Sequence, residues 1–188
     1  MISTITPPTE KLITGEELMA MGDIGPCELI DGRIVMIDAT GDEHGGIEVN
    51  VTESLSGFVR PRKLGKVRGG EVGIYIKRNP DRVRAADALF ISLERWMQRQ
   101  NKQGYLDVAP ELVVEVLSPD DRMIEVNQKL GDYFSIGVKI VWVIDPESKI
   151  VYAYRSLIDV HAFTVNDTLT AEEVLSGYAV AVASLFEV

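Results

Sequence analysis

The chain has 188 residues, of which 46% are hydrophobic and 26% charged, and it carries a formal net charge of −10. This is an ordinary globular composition, long enough for one domain with a real core, and no apolar run is long enough to span a bilayer. The acidity argues against indiscriminate nucleic-acid binding, and a single cysteine, Cys27, excludes an internal disulfide.

Residues 1–13 read as a loose lead-in marked by Pro7 and Pro8. They lack a basic start and a long apolar segment, so no signal peptide is expected and the protein is expected to be cytoplasmic. Thr14-Gly15-Glu16-Glu17 has capping-box spacing, and a short helix follows it to about Met21. Cys27 to Ile37 reads as a hairpin, because Asp31-Gly32 tolerates the positive φ of a two-residue turn. Cys27 is assigned to packing. Glu28 lies on the first strand, either as an edge-strand surface acid or as part of a site.

Ile47, Val51, Leu55 and Phe58 recur at helical spacing, which predicts a helix over 43–59 that Pro61 ends. His44 opens this helix, as a surface or capping residue or as a site residue. Strands are predicted over 66–68, 71–77 and 83–91, with turns at Gly69-Gly70 and Asn79-Pro80-Asp81. A short amphipathic helix over 93–101 precedes a central strand over 111–117. Ser118-Pro119-Asp120-Asp121 reads as the start of the next helix, whose apolar stripe is Val126, Leu130, Tyr133 and Phe134. Lys129 lies at the edge of that stripe. Gly137 stops the helix, and an apolar strand over 138–145 completes a right-handed βαβ unit with parallel strands. Strands over 149–155 and 159–165, a short helix near 171–175 and a final apolar segment close the chain. No linker divides it, so one domain over residues 1–188 is expected.

Two acids interrupt apolar strand runs. Asp87 sits within Val83 to Ile91, and Glu115 within Pro110 to Pro119. Burying an unpaired carboxylate is costly, so each needs a cation, a metal or hydrogen-bond donors. On neighbouring strands of one mixed sheet they could converge on a hard divalent cation such as Mg²⁺ or Mn²⁺, with the Val116 carbonyl as a further ligand. A bound metal would activate water for hydrolysis. Lys129 could reach back to assist, and Glu28 could supply another carboxylate. The competing interpretation is a buried ion pair, Glu115 with Lys129 or Asp87 with Arg84. Residues 60–84 hold nine basic and two acidic side chains, a local charge of +7 against −17 for the remainder. This segment is either a candidate contact for DNA phosphates or a solvated hairpin.

Several stretches carry a family resemblance: Cys27-Glu28-Leu29-Ile30-Asp31-Gly32, His44, Ala86-Asp87-Ala88-Leu89-Phe90-Ile91, and Ala109 through Pro119 with Glu115 inside it. Lys129, Tyr133, Gly137-Val138 and Trp142 through Pro146 continue it. In order and spacing they resemble the Uma-type putative restriction endonucleases, within the PD-(D/E)XK nuclease superfamily. The resemblance implies an α/β fold, a restriction-endonuclease-like mixed β-sheet core flanked by helices. It also implies Mg²⁺-dependent cleavage of DNA phosphodiesters, with Asp87 and Glu115 as metal ligands and Lys129 and Glu28 as catalytic residues. Two positions depart from the superfamily pattern. Ala86 replaces the proline before the first acid, and Leu117 stands where the lysine two residues after the glutamate is usual. Relatives in this family are similar in lacking that lysine and take one from the following helix, where Lys129 matches. A homodimer is expected, since nucleases that cut both strands often work in twos. The alternatives are a catalytically inactive binding or scaffold protein on the same fold and a metal-dependent hydrolase with another substrate.

Overall fold

The computed structural model describes residues 11–187. Most of the expected lead-in, residues 1–10, lies outside the described residues.

Helix α1 (Gly15–Ala20) begins with the expected reciprocal cap. Thr14 Oγ1 accepts from the Glu17 N–H, and the Glu17 carboxylate accepts from the Thr14 N–H. Strands β1 (Cys27–Ile30) and β2 (Arg33–Met36) form the hairpin, with Asp31 at φ 52° and Gly32 at φ 78° in its turn. Helix α2 (Asp42–Arg62) buries Ile47, Val51, Leu55 and Val59 completely. It runs one residue past Pro61. A proline in the last turn forfeits only its own N–H bond, and the stop is instead Lys63, left-handed at φ 54°.

Strand β3 (Gly65–Lys77) is continuous where a turn at Gly69-Gly70 was expected. Gly70 (φ 83°) and Glu71 (φ 45°) form a bulge that shifts the register against β4 between Gly69 and Val72. Strand β4 (Arg82–Ser92) leads into α3 (Leu93–Gln98), which is shorter than predicted. Strand β5 (Leu112–Val116) is followed by α4 (Met123–Ser135). The predicted helix start at Ser118 is a separate turn: the Asp121 carboxylate accepts from the Ser118 N–H, and the Asp121 N–H donates to the Ser118 carbonyl. This closed loop satisfies its own polar groups, so the helix begins only at Met123.

Strand β6 (Ile140–Asp145) pairs parallel with β5, completing the βαβ unit, and β7 (Ile150–Tyr154) and β8 (Val160–Phe163) extend the sheet. The segment 171–175 makes one turn, not a helix. Strands β9 (Thr168–Thr170) and β10 (Ala179–Ala181) then pair before α5 (Val182–Leu185).

The large sheet has the order β2-β1-β4-β5-β6-β7-β8, with β3 also on β4. Helix α2 and the C-terminal segment cover one face, where Val114, Trp142, Tyr178 and Leu185 are buried. Helix α4 covers the other through Val126, Leu130 and Tyr133, against Leu89, Val113 and Val141. Each fully buried aliphatic or aromatic side chain contributes about 1.5–3 kcal/mol, so the two cores clamp the middle strands β4, β5 and β6.

Candidate active site

Strand β4 changes neighbours along its length. Ala88, Leu89 and Phe90 pair with β5, whereas Val83 pairs with Leu29 of β1. Asp87 occupies the fork between these two partners. Its register, one step beyond Ala88↔Val114, sets it opposite Glu115. Both acids are buried, Asp87 at 8% exposure and Glu115 at 6%.

Asp87 Oδ2 accepts a 2.6 Å hydrogen bond from the Val116 N–H and lies 3.5 Å from His44 Nε2. Strand pairing ends here, so the amide that would otherwise need a backbone carbonyl takes the carboxylate. The other His44 nitrogen, Nδ1, is 3.5 Å from Ser118 Oγ. His44 Nε2 is buried without a hydrogen-bond partner among the described residues. Burial would lower the imidazole pKa, but Asp87, with Glu48 and Glu71 behind it, outweighs burial and raises it.

Glu115 is gripped from α4. Lys129 Nζ donates to Oε2 and the Tyr133 hydroxyl to Oε1, both at 2.5 Å. Lys129 and Tyr133 are one turn apart, so one helical face delivers both donors. Burial pushes the Glu115 carboxyl up to about 7; the Lys129 ammonium opposes that, and the Asp87 charge adds to it. Burial would lower Lys129, yet Glu115, then Glu28 and Asp87, hold it above its ordinary value. Tyr133 is driven well above its usual range by burial and by the Glu115 charge.

Glu28 is buried, not an edge-strand surface acid, because β1 lies between β2 and β4. Its carboxylate accepts from Arg84 Nη1 at 2.6 Å and from the Ala85 N–H at 3.0 Å. Arg84 Nε donates to Asp132 Oδ2, and Arg82 joins Asp132 to Asp31. This network ties the hairpin to α4, three residues from Lys129. Arg84 therefore pairs with Glu28 and Asp132, and the alternative Asp87–Arg84 pair is absent. The Glu115–Lys129 pair is present.

Helix α2 contributes a further acid that sequence reasoning passed over. Glu48, one turn after His44, accepts from the Gly70 N–H at 2.6 Å, and burial raises its pKa, with Asp87 and Glu71 adding to the rise. The i, i+4 spacing from His44 was the available signal. Tyr133 was also assigned only to the apolar stripe. The basic segment 60–84 divides: Lys77, Arg78, Arg82 and Arg84 are held in ion pairs with acids from elsewhere, so Arg84, itself buried, is no phosphate contact.

Among the described residues no group of three or more His, Cys, Asp or Glu side chains is arranged to hold a metal ion. Two carboxylates on adjacent strands nevertheless supply oxygen donors of the kind a hard divalent cation takes, with waters filling its remaining positions.

The sequence profile of a family described as putative restriction endonuclease matches residues 16–183. The crystal structure of a putative nuclease belonging to DUF820 from Anabaena variabilis is similar, with a TM-score of 0.77 at 21% identity, covering 93% of this chain and 97% of that one. At that identity the likeness speaks to the fold, a mixed sheet flanked by helices. No curated protein matches the chain. Among the described residues no helix is long and apolar enough to cross a membrane.

Proposed function

The chain belongs to the Uma-type putative restriction endonuclease family, and from that premise we propose that it is a divalent-metal-dependent endonuclease hydrolysing DNA phosphodiesters. The observation that carries this is the opposition of Asp87 and Glu115 at the strand fork, with Lys129 and Tyr133 aimed at the second acid.

Asp87 and Glu115 would hold Mg²⁺ or Mn²⁺, with the Val116 carbonyl as a further oxygen donor. When bound, the metal supplies a Lewis acid for the phosphoryl oxygen and lowers the pKa of a coordinated water. Lys129 keeps a positive charge beside the acids and would stabilise negative charge building on the phosphate oxygens. Tyr133 fixes the Glu115 carboxylate. The Val116 N–H fixes Asp87, so both acids are held before substrate arrives. Glu28 acts at one remove: through Arg84 and Asp132 it sets the position of α4 and hence of Lys129. Cutting both strands of a duplex takes two such centres, which a homodimer provides.

A second interpretation, a silent scaffold or binding protein on this fold, draws on one observation. Lys129 already neutralises Glu115, so this acid is stable without a metal. Thermal unfolding with and without Mn²⁺, paired with plasmid nicking, separates the two. The nuclease should gain stability with metal, roughly 2.7 kcal/mol at a hundred times Kd. Asp87→Asn and Glu115→Gln should abolish both the gain and the nicking. Nicking that survives in both variants would exclude this centre, and a metal-indifferent wild type that cuts nothing would favour the scaffold.

A further inference from the structure

The basic residues of this acidic chain are not evenly used. Among the described residues, Arg60, Lys63, Lys66, Arg68, Arg99 and Lys102 form no ion pair, whereas Lys77, Arg78, Arg82, Arg84, Arg95 and Lys129 all do. These six gather where α2 ends, β3 begins and α3 ends.

Between β3 and the segment after α3 lies a cavity of about 390 Å³ lined by Arg68, Trp96, Arg99, Lys102 and Tyr105. The Arg68 guanidinium is 4.8 Å from the Trp96 ring centroid and that of Arg99 is 3.1 Å from it. Tyr105 forms the far wall by lying against Gly73, where a Cβ would stand 2.1 Å from its ring. Burial lowers the Arg68 pKa, and the nearby Arg99 and Arg60 charges lower it further. The fold thus holds like charges together on an aromatic floor, and none of Arg68, Arg99 and Lys102 is in an ion pair among the described residues; the nearby Asp107 carboxylate is taken up by the N–H groups of Gln100 and Asn101. An anion entering the hollow would relieve that repulsion.

We infer that this hollow docks the phosphates of a nucleic-acid strand, with Arg68, Arg99 and Lys102 as the contacts and Trp96 as the platform. The ligand class rests on the nuclease reading above; the location is independent of it. Arg68 stands opposite Leu89, one strand over and two residues along from Asp87. Strand spacing makes that offset about 8 Å. At 3.4 Å of duplex axis per phosphate of one strand, the hollow lies roughly two to three phosphates from the fork. The Trp96 ring holds the Arg68 and Arg99 guanidinium groups in place, so the hollow presents fixed cations at a phosphate-scale distance from the fork. A polynucleotide strand meets both the hollow and the fork with its regularly spaced phosphates, whereas an acidic peptide would satisfy the hollow's charge alone.

The test needs no cleavage. Fluorescence anisotropy of labelled single- and double-stranded oligonucleotides, with EDTA present, is measured from 50 to 200 mM salt for wild type, Arg99→Gln/Lys102→Gln and the control Lys139→Gln/Lys149→Gln. The control lysines are exposed and make no ion pair among the described residues. Loss of two phosphate contacts should reduce the duplex log–log salt slope by about 2 and weaken binding at least roughly tenfold at low salt, with the control unchanged. Equal binding and slope in the Arg99/Lys102 variant would overturn the site while leaving the nuclease reading intact. An altered slope in that variant, beside a wild type that ignores metal and cuts nothing, would keep the site and sink the nuclease. No oligonucleotide binding by wild type would overturn the inference. Equal competition by pyrophosphate or by polyglutamate would overturn it too, assigning the hollow to small phosphates or to acidic protein.

Discussion

Replacing Lys129 by methionine keeps most of the side-chain volume and removes the ammonium 2.5 Å from Glu115. With Lys129 present, burial already pushes Glu115 up to about 7 from an ordinary 4.5. Without the ammonium the folded-state value must rise further, because the largest opposing influence is gone. A carboxyl with a raised folded pKa holds a proton that the unfolded chain releases, so stability falls as pH climbs from the unfolded value through the folded one. In Lys129→Met that fall continues to higher pH than in wild type. Wild type loses this contribution only up to its own value of about 7, while the variant goes on losing it, at most about 1.4 kcal/mol for each pH unit beyond, so the gap between them reaches about 1.4 kcal/mol at pH 8. For a chain of this length that is a Tm loss of roughly 3–6 °C. Near pH 5.5 Glu115 is protonated in both proteins, Lys129 faces a neutral acid, and the gap should close. Differential scanning calorimetry without metal at the two pH values reads this directly. A Tm gap of the same size at both would refute the coupling between Lys129 and Glu115.

Metal affinity should follow the same titration: below about pH 7 the cation must displace the Glu115 proton, so affinity should fall about tenfold per pH unit. Titration calorimetry with Mn²⁺ that finds equal affinity at pH 5.5 and 7 would remove Glu115 from the ligand set. Tyr133→Phe removes a hydrogen bond to a buried carboxylate, a loss of roughly 1.5–3 kcal/mol in urea unfolding. The same variant should shift the midpoint of metal binding to higher pH, because the hydroxyl favours the ionised acid; a fixed midpoint would show that Tyr133 only packs. Arg84→Met removes the ion-pair partner of the buried Glu28 and one of the two arginines on Asp132, and should cost about 3–5 kcal/mol. A neutral or stabilising outcome would show that the network does not secure α4.

Asp87 and Glu115 were legible because a carboxylate inside an apolar strand run is a local anomaly that periodicity exposes. The βαβ unit was legible for the same reason, since one helix stripe separates two apolar runs. The misses have a common physical character: they depend on partners distant in sequence. Gly69-Gly70 looked like a turn, but pairing with β4 carries the chain through as a bulge, and the Gly70 N–H donates to Glu48 from α2. Ser118 to Asp121 looked like a helix start, but the Asp121 side chain closes on Ser118 first. Glu28 was open between an edge acid and a site residue, and only the pairing of β1 with β4 brings Arg84 onto it. Helix α3 was drawn too long because Asp107, from beyond it, takes the N–H groups of Gln100 and Asn101.

The net charge of −10 and a polyanionic substrate are reconciled by where the cations are placed, not by their number. Arg82 and Arg84 are committed to acids around the fork, so they offset negative charge inside the fold and offer little attraction to an approaching phosphate. The acids at the fork and on α2 (Asp87, Glu115 and Glu48) would repel a phosphodiester at short range until a divalent cation lies between them. The unpaired arginines and lysines at the edge of β3 supply attraction beside that repulsive centre. On the proposed function, a strand would be drawn to the edge by charge that salt screens and held at the fork only with metal present. Binding without metal and cutting with it would then be separable properties of one molecule, the salt slope reporting the first and the pH-dependent metal affinity the second.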